Sequence, residues 1–210
     1  MNTAKLLRQV PLALTALRAL LAPVVVALTL AWPNRAAFGA CLVAAFLSDL
    51  FDGIIARRLG IATPGLRRLD SIADSLFYVA AAFAAWQLYP QAVLEYRIGL
   101  GALIVLEAIR YAFDYFKFRR EASYHMWSSK LWGIALFAGF FSLLALGVSG
   151  WPIAMAIYVG IVADLEGLAI SMVLRESRTD VPSLVHAQRN PGGASDAADP
   201  ARRAVRRPAD

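Results

Sequence analysis

Four aspartates fall in two pairs within one short stretch of an otherwise apolar chain, "SDLFDGIIARRLGIATPGLRRLDSIAD", residues 48 to 74. Asp49 and Asp52 are three residues apart and Asp70 and Asp74 are four apart, so each pair shares one face of a helix. If the two helices return as antiparallel neighbours across the loop between them, all four carboxylates come together. In an apolar setting such a group cannot stay ionised through its mutual repulsion unless positive charge joins it. A divalent metal site resolves the conflict. Hard oxygen donors, with no Cys or His in the stretch, select Mg²⁺, Mn²⁺ or Ca²⁺ over Zn²⁺. Two ions sharing four carboxylates make the clamp used for displacement at phosphorus, stabilising both the attacking and the leaving oxygen.

The residues between the pairs narrow the substrate. Gly53 and Ala56 follow Asp52 on or near the carboxylate face, and their small size opens a slot for a flat ring or a phosphate. Arg57 comes one turn after Gly53, where its planar, permanently charged fork suits a diphosphate. Small residues in membrane helices also serve close packing. Interleaved with four aspartates and an arginine, they read as part of a site.

The elements that carry these residues are membrane helices. The chain is 59% hydrophobic and 17% charged over 210 residues, with a mean hydropathy of +0.56, too apolar for a soluble globular domain. Apolar runs near 9–32, 36–57, 71–89, 96–116, 131–148 and 151–173 each approach the roughly 20 residues needed to cross a hydrocarbon core. The expected fold is all-α, a polytopic bundle of six transmembrane helices over residues 1–175, followed by a disordered, Pro-, Ala-, Asp- and Arg-rich tail over 176–210. Basic residues mark the cytoplasmic loops. Lys5, Arg8, Arg58, Arg67, Arg68, Lys117, Arg119, Arg120, Lys130 and the arginines from Arg175 to Arg207 fall on one side, against Arg35 and Arg97 on the other. Both termini and the aspartates therefore face the cytoplasm. The net charge of +6 follows this alternation and suits an anionic leaflet, not nucleic acid. The single cysteine, Cys41, lies in an apolar span and reads as a packed hydrophobe.

Asp49-x-x-Asp52-Gly53-x-x-Ala56-Arg57, followed by Asp70-x-x-x-Asp74, resembles the signature of the CDP-alcohol phosphotransferase family, also called CDP-alcohol phosphatidyltransferases. "LTALRALLAP", with Thr15, Arg18 and Pro23, is similar to the family's first span, and the resemblance covers roughly residues 9 to 175. It implies a membrane transferase of phospholipid synthesis that moves a substituted phosphate from a CDP-linked alcohol to an acceptor alcohol and releases CMP. Asp49, Asp52, Asp70 and Asp74 would then hold two Mg²⁺ or Mn²⁺ ions. Asp74 would also act as the base for the acceptor hydroxyl, and Gly53, Ala56 and Arg57 would line the CDP site. One position departs from the pattern: Leu66 stands where the family has glycine, with Gly65 one residue earlier, implying an altered nucleotide pocket or an adjustment through Pro64-Gly65. A homodimer in a bacterial cytoplasmic membrane is the expected setting.

The donor is expected to be CDP-diacylglycerol and the acceptor glycerol 3-phosphate, as in a phosphatidylglycerophosphate-synthase-like member, with Arg67, Arg68, Arg110 and Lys130 offering charge to the acceptor phosphate. Inositol phosphate, a second phospholipid, or a soluble CDP-alcohol donor also suit this charge pattern. Glu107, Arg110 and Asp114 recur along one span and form either a buried network or, through Arg110, part of the acceptor site. Arg18 has the same two readings, with helix-to-helix pairing favoured. One of Asp164 and Glu166 is expected to pair with Arg110 or Arg18. His125 reads as an interfacial residue, and Trp127, Trp132 and Trp151 as interface anchors. A divalent-cation transporter using the same carboxylates is the competing class, weakened by the placement of the cluster at one end of the spans and by the lack of a visible inverted repeat. Intramembrane prenyltransferases place their acidic motifs on helices far apart in sequence, whereas Asp52 and Asp70 are close.

Overall fold

The computed structural model describes residues 3–59, 63–118 and 127–173. Every element among them is helical: α1 (Thr3–Ala31), α2 (Arg35–Arg58), α3 (Pro64–Leu88), a short α4 (Pro90–Glu95), α5 (Arg97–Phe118), α6 (Trp127–Phe140), a π-helical segment (Phe141–Leu146) and α7 (Trp151–Val173). Helices satisfy their own backbone groups, which lipid cannot do. Five stretches are long and apolar enough to cross a membrane: Val10–Ala31, Arg35–Ile55, Arg68–Leu88, Ser128–Leu146 and Trp151–Val173. The sixth expected span, 96–116, coincides with α5, which has the length at 22 residues. Glu107, Arg110 and Asp114 interrupt its apolar run, so among the described residues five helices meet the requirement by length and composition. The protein is an all-helical polytopic membrane protein. The tail expected over 176–210 and His125 lie outside the described residues.

The chain forms two compact units, Met1–Arg97 with Ile134–Ala156, and Ile98–Gly133 with Ile157–Asp210. In the first, α1 packs along both α2 and α3, and α2 packs on the π-helical segment. The core is built from small and branched side chains: Ala22 and Val25 of α1, Phe38, Leu42 and Ala45 of α2, and Ala80, Ala81, Ala84 and Ala85 of α3. Alanines at this contact let the helix backbones approach closely, as small residues do between membrane helices. Gly39 serves the same end, since a Cβ there would come within 3.2 Å of Ala145.

Local chemistry sets the element ends that matter for the site. Thr63 caps α3 by accepting the Leu66 N–H at 3.2 Å, and Pro64 enters the first turn, where no N–H is needed. The helix therefore starts about two turns before the apolar run does, and Asp70 lies well inside it. Two prolines, Pro11 and Pro23, lie inside α1. The Thr15 hydroxyl donates to the Pro11 carbonyl at 3.1 Å. The π-helical segment closes on Gly147 at φ +71°, a conformation that favours glycine. A Cβ on Gly147 would also meet the Arg35 guanidinium at 2.5 Å.

In the second unit α5 and α7 run parallel in a continuous register. Gly99 faces Ile157, Leu103 faces Gly160, and Asp114 accepts a hydrogen bond from the Ser171 hydroxyl. Lys117 Nζ donates to the Ser171 and Met172 carbonyls at 2.7 and 3.1 Å, satisfying carbonyls that the end of α7 leaves without helical partners. Trp132, expected as an interface anchor, instead buries its indole N–H inside this unit. It lies against Gly160, where a Cβ would come within 2.6 Å of Trp132 Nε1 and 2.8 Å of Leu103. Trp151, by contrast, is exposed.

Gly160→Ala should therefore destabilise the protein by about 1–3 kcal/mol through overpacking, read as a lower Tm in detergent. Gly101→Ala is the control. Its Cβ meets nothing within 4 Å, so its effect should stay within about 0.5 kcal/mol.

Candidate active site

All four aspartates meet, and they meet on an arginine. Arg18 of α1 is 1% exposed and its guanidinium reaches across both neighbouring helices. Nη1 donates to Asp49 Oδ1 of α2 at 3.0 Å and to Asp74 Oδ1 of α3. Nη2 donates to Asp52 Oδ2 of α2 and to Asp70 Oδ1 of α3 at 2.9 Å. The i,i+3 and i,i+4 spacings put each carboxylate pair on one helix face, and both faces reach Arg18 of α1. The link between the pairs comes from α1, packed along both helices, and not from the return of α3 beside α2 alone.

The cluster is graded in depth. Asp52 is the innermost carboxylate, with its side chain 5% exposed, while Asp70 and Asp74 are 30% and 34% exposed and Asp49 is 51% exposed. The open side is therefore lined by Asp49, Asp70 and Asp74. Each of these offers an oxygen within 4.8 Å of the other two. Asp52 sits behind them against Arg18. Along the chain, Asp52 lies three residues before the end of the second apolar span and Asp70 two residues after the start of the third. At 1.5 Å per residue that is within about 5 Å of the span ends, so the site opens at one face of the bundle. The Thr15 hydroxyl approaches Asp70 at 3.5 Å, but its shorter bond is to Pro11.

A family model for CDP-alcohol phosphatidyltransferase matches residues 8–165, a stretch that contains Arg18, all four aspartates and Asp164. The chain belongs to the CDP-alcohol phosphatidyltransferase family. Its members are transferases that move a phosphate-linked group from a CDP-alcohol to an acceptor alcohol, and they are generally dependent on divalent metal. No curated protein and no solved structure matches the chain.

The donor set is of a kind that suits a divalent metal, on which CDP-alcohol phosphatidyltransferases generally depend. It consists of carboxylate oxygens alone, the hard donors that Mg²⁺ and Mn²⁺ prefer. Asp49, Asp70 and Asp74 each offer an oxygen within 4.8 Å of the other two, close enough for one ion to be shared among them.

Among the remaining candidates, Gly53 is half-buried one residue past Asp52. The side chains of Ala56, Arg57 and Arg67 lie outside the described residues. Leu66 is half-buried in the first turn of α3, and a Cβ on Gly65 would meet nothing within 4 Å. Arg68 is exposed on α3. Arg110 and Lys130 belong to the second unit. There Arg110 Nε lies 3.0 Å from Asp164 Oδ1, with Asp164 2% exposed. Of the two expectations for Arg110, the structure realises the buried network, extended to α7 through Asp164 and through the Asp114–Ser171 bond. Arg18 is the residue whose place sequence reasoning understated. The signal was present: an arginine inside an apolar span needs buried anions, and the only dense group of them lies on the next two helices.

If the pair in the second unit is structural, Arg110→Met leaves Asp164 buried without its cation and should cost roughly 3 kcal/mol or more of stability. The double variant Arg110→Met with Asp164→Leu should recover most of that loss in thermal unfolding. A double variant no more stable than the single one would contradict the structural assignment.

Proposed function

We propose that this protein transfers a phosphatidyl group from CDP-diacylglycerol to glycerol 3-phosphate, as a phosphatidylglycerophosphate-synthase-like member of its family, at the cytoplasmic face of a bacterial membrane and as a homodimer. The observation that carries the reading is the convergence of Asp49, Asp52, Asp70 and Asp74 around Arg18 at the end of the apolar spans. In this reading the four carboxylates hold two Mg²⁺ or Mn²⁺ ions. When bound, these supply Lewis-acid stabilisation of the negative charge on the diphosphate.

The chain's own residues do the rest. Asp74, on the open side of the cluster, takes the proton from the acceptor hydroxyl. The freed oxygen bonds to the phosphorus that carries the diacylglycerol, the P–O bond to the bridging oxygen breaks, and that oxygen leaves with its electron pair on CMP. Gly53 and Ala56 leave room beside Asp52 for the nucleotide, and Arg57 binds its diphosphate through a planar fork. Leu66 narrows the slot that a glycine would open. The acceptor phosphate is read by Arg67 and Arg68, in the turn before Asp70. A lipid donor is favoured because the spans surrounding the site are open to lipid, with Leu50, Phe51, Leu69 and Ile72 exposed beside the aspartates.

Purified protein in detergent, given CDP-diacylglycerol, glycerol 3-phosphate and Mn²⁺ or Mg²⁺, should release CMP in step with the new lipid. Chelation by EDTA should stop the reaction and Mn²⁺ should restore it. Asp74→Asn should lower kcat by about 10³-fold, within the range of a lost general base. Turnover only with another acceptor, such as inositol phosphate, would reassign the product. Turnover only with a soluble CDP-alcohol would reassign the donor. Metal flux into liposomes without CMP release from any donor would replace the enzyme with a transporter.

A further inference from the structure

Arg18 and a divalent ion draw on the same oxygens. The guanidinium takes one oxygen from each of Asp49, Asp52, Asp70 and Asp74, and three of those residues supply the only group among the described residues that offers metal-ligand geometry. The side chain is 1% exposed, so water does not screen its charge from the cluster. Its Nε has no hydrogen-bond partner. The guanidinium's hydrogen bonds are thus all made by its two terminal nitrogens, each to carboxylates, and no hydrogen bond at Nε would hold it if those carboxylates turned toward another cation.

We propose that Arg18 is a built-in competitor of the catalytic metal, an internal cation that holds the four carboxylates together and sets how tightly the divalent ion binds. The proposal rests on the metal reading given above. Two consequences follow from charge alone. An ion entering among Asp49, Asp70 and Asp74 meets a buried positive charge bonded to all three, which weakens its binding. It also displaces some of the guanidinium's hydrogen bonds, so Arg18 registers metal entry directly. A residue that merely joined helices by bonds elsewhere would do neither. The competition keeps metal exchangeable in a cluster of four carboxylates, and keeps that cluster assembled in a low-dielectric setting where like charges otherwise drive the helices apart.

The test uses metal alone. Binding of Mn²⁺ to the full-length protein in detergent is followed by loss of the free-ion electron paramagnetic resonance signal, for wild type, Arg18→Met and Arg18→Lys. Arg18→Met keeps similar length without charge and should bind Mn²⁺ at least about tenfold tighter, because a buried like charge has been removed. Its Tm without metal should fall, and the rise in Tm on adding Mn²⁺ should exceed that of wild type. Arg18→Lys keeps the charge and should bind within a few-fold of wild type. If Arg18→Met does not fold, the wild type still decides the question. With guanidino-¹⁵N arginine, the Arg18 resonance, assigned by its loss in Arg18→Lys, should move as Mg²⁺ saturates the protein. Mn²⁺ affinity unchanged or weakened in folded Arg18→Met, or an Arg18 resonance unmoved at Mg²⁺ saturation, overturns the role of Arg18 while leaving the metal site standing. Wild-type protein that binds no Mn²⁺ strikes the metal reading itself, and this proposal with it.

Discussion

A guanidinium with 1% exposure bonded to four carboxylates is the interaction on which the rest of the first unit depends. Burying Arg18 and Asp52 away from water costs several kcal/mol for each charge, and only close, multiple pairing offsets it. That pairing needs three helices within reach of one side chain. The alanines of α3, with Ala22 and Ala45 on the facing helices, allow the approach. Thr63 and Pro64 start α3 early enough that Asp70 and Asp74 ride on a formed helix. The composition of the core, the cap of α3 and the spacing of the aspartates therefore serve a single constraint, that one buried cation must be shared by two carboxylate pairs.

Much of this was legible in the sequence. The spacings Asp49–Asp52 and Asp70–Asp74 specify their helix faces without reference to any partner, and apolar runs locate spans because lipid leaves the backbone few alternatives. What was not legible depends on contacts between helices. Spacing narrowed the partner of Arg110 to one of Asp164 and Glu166, and only the packing of α5 on α7 selects Asp164; nothing in the pattern linked Asp114 to Ser171. A tryptophan near a span end has the composition of an interface anchor, and only Gly160, a missing side chain on another helix, turns Trp132 inward. The apolar run over 71–89 marks the span and not the helix, which extends back to the Thr63 cap and so carries Asp70 and Asp74 together. The residues thought to line the nucleotide slot sit on α2 just where it leaves its apolar span, and there pattern alone carries the reading.

The two units handle buried charge in opposite ways. In the second, Arg110 faces Asp164 and Lys117 closes the carbonyls of α7, so charge is matched in place and the polar groups behave as fasteners between α5 and α7. In the first, four carboxylates converge on the guanidinium of Arg18. Carboxylates gathered this closely repel one another, and that repulsion is relieved by positive charge placed among them.

The gradation of exposure across the cluster gives the four carboxylates unequal parts. Asp52, with 5% of its side chain exposed and bonded to Arg18 Nη2, is screened from any approaching acceptor by the other three. A proton acceptor for an alcohol must lie where the alcohol can reach, and it must hold an oxygen near the attacking one. Asp49 is the most open and Asp52 the most enclosed. Asp70 and Asp74 lie between them on α3, one helical turn apart, with side chains 30% and 34% exposed. The proposed choice of Asp74 as the base rests on that intermediate exposure, open enough for an alcohol to reach and close enough to the other carboxylates for the attacking oxygen to be held beside them.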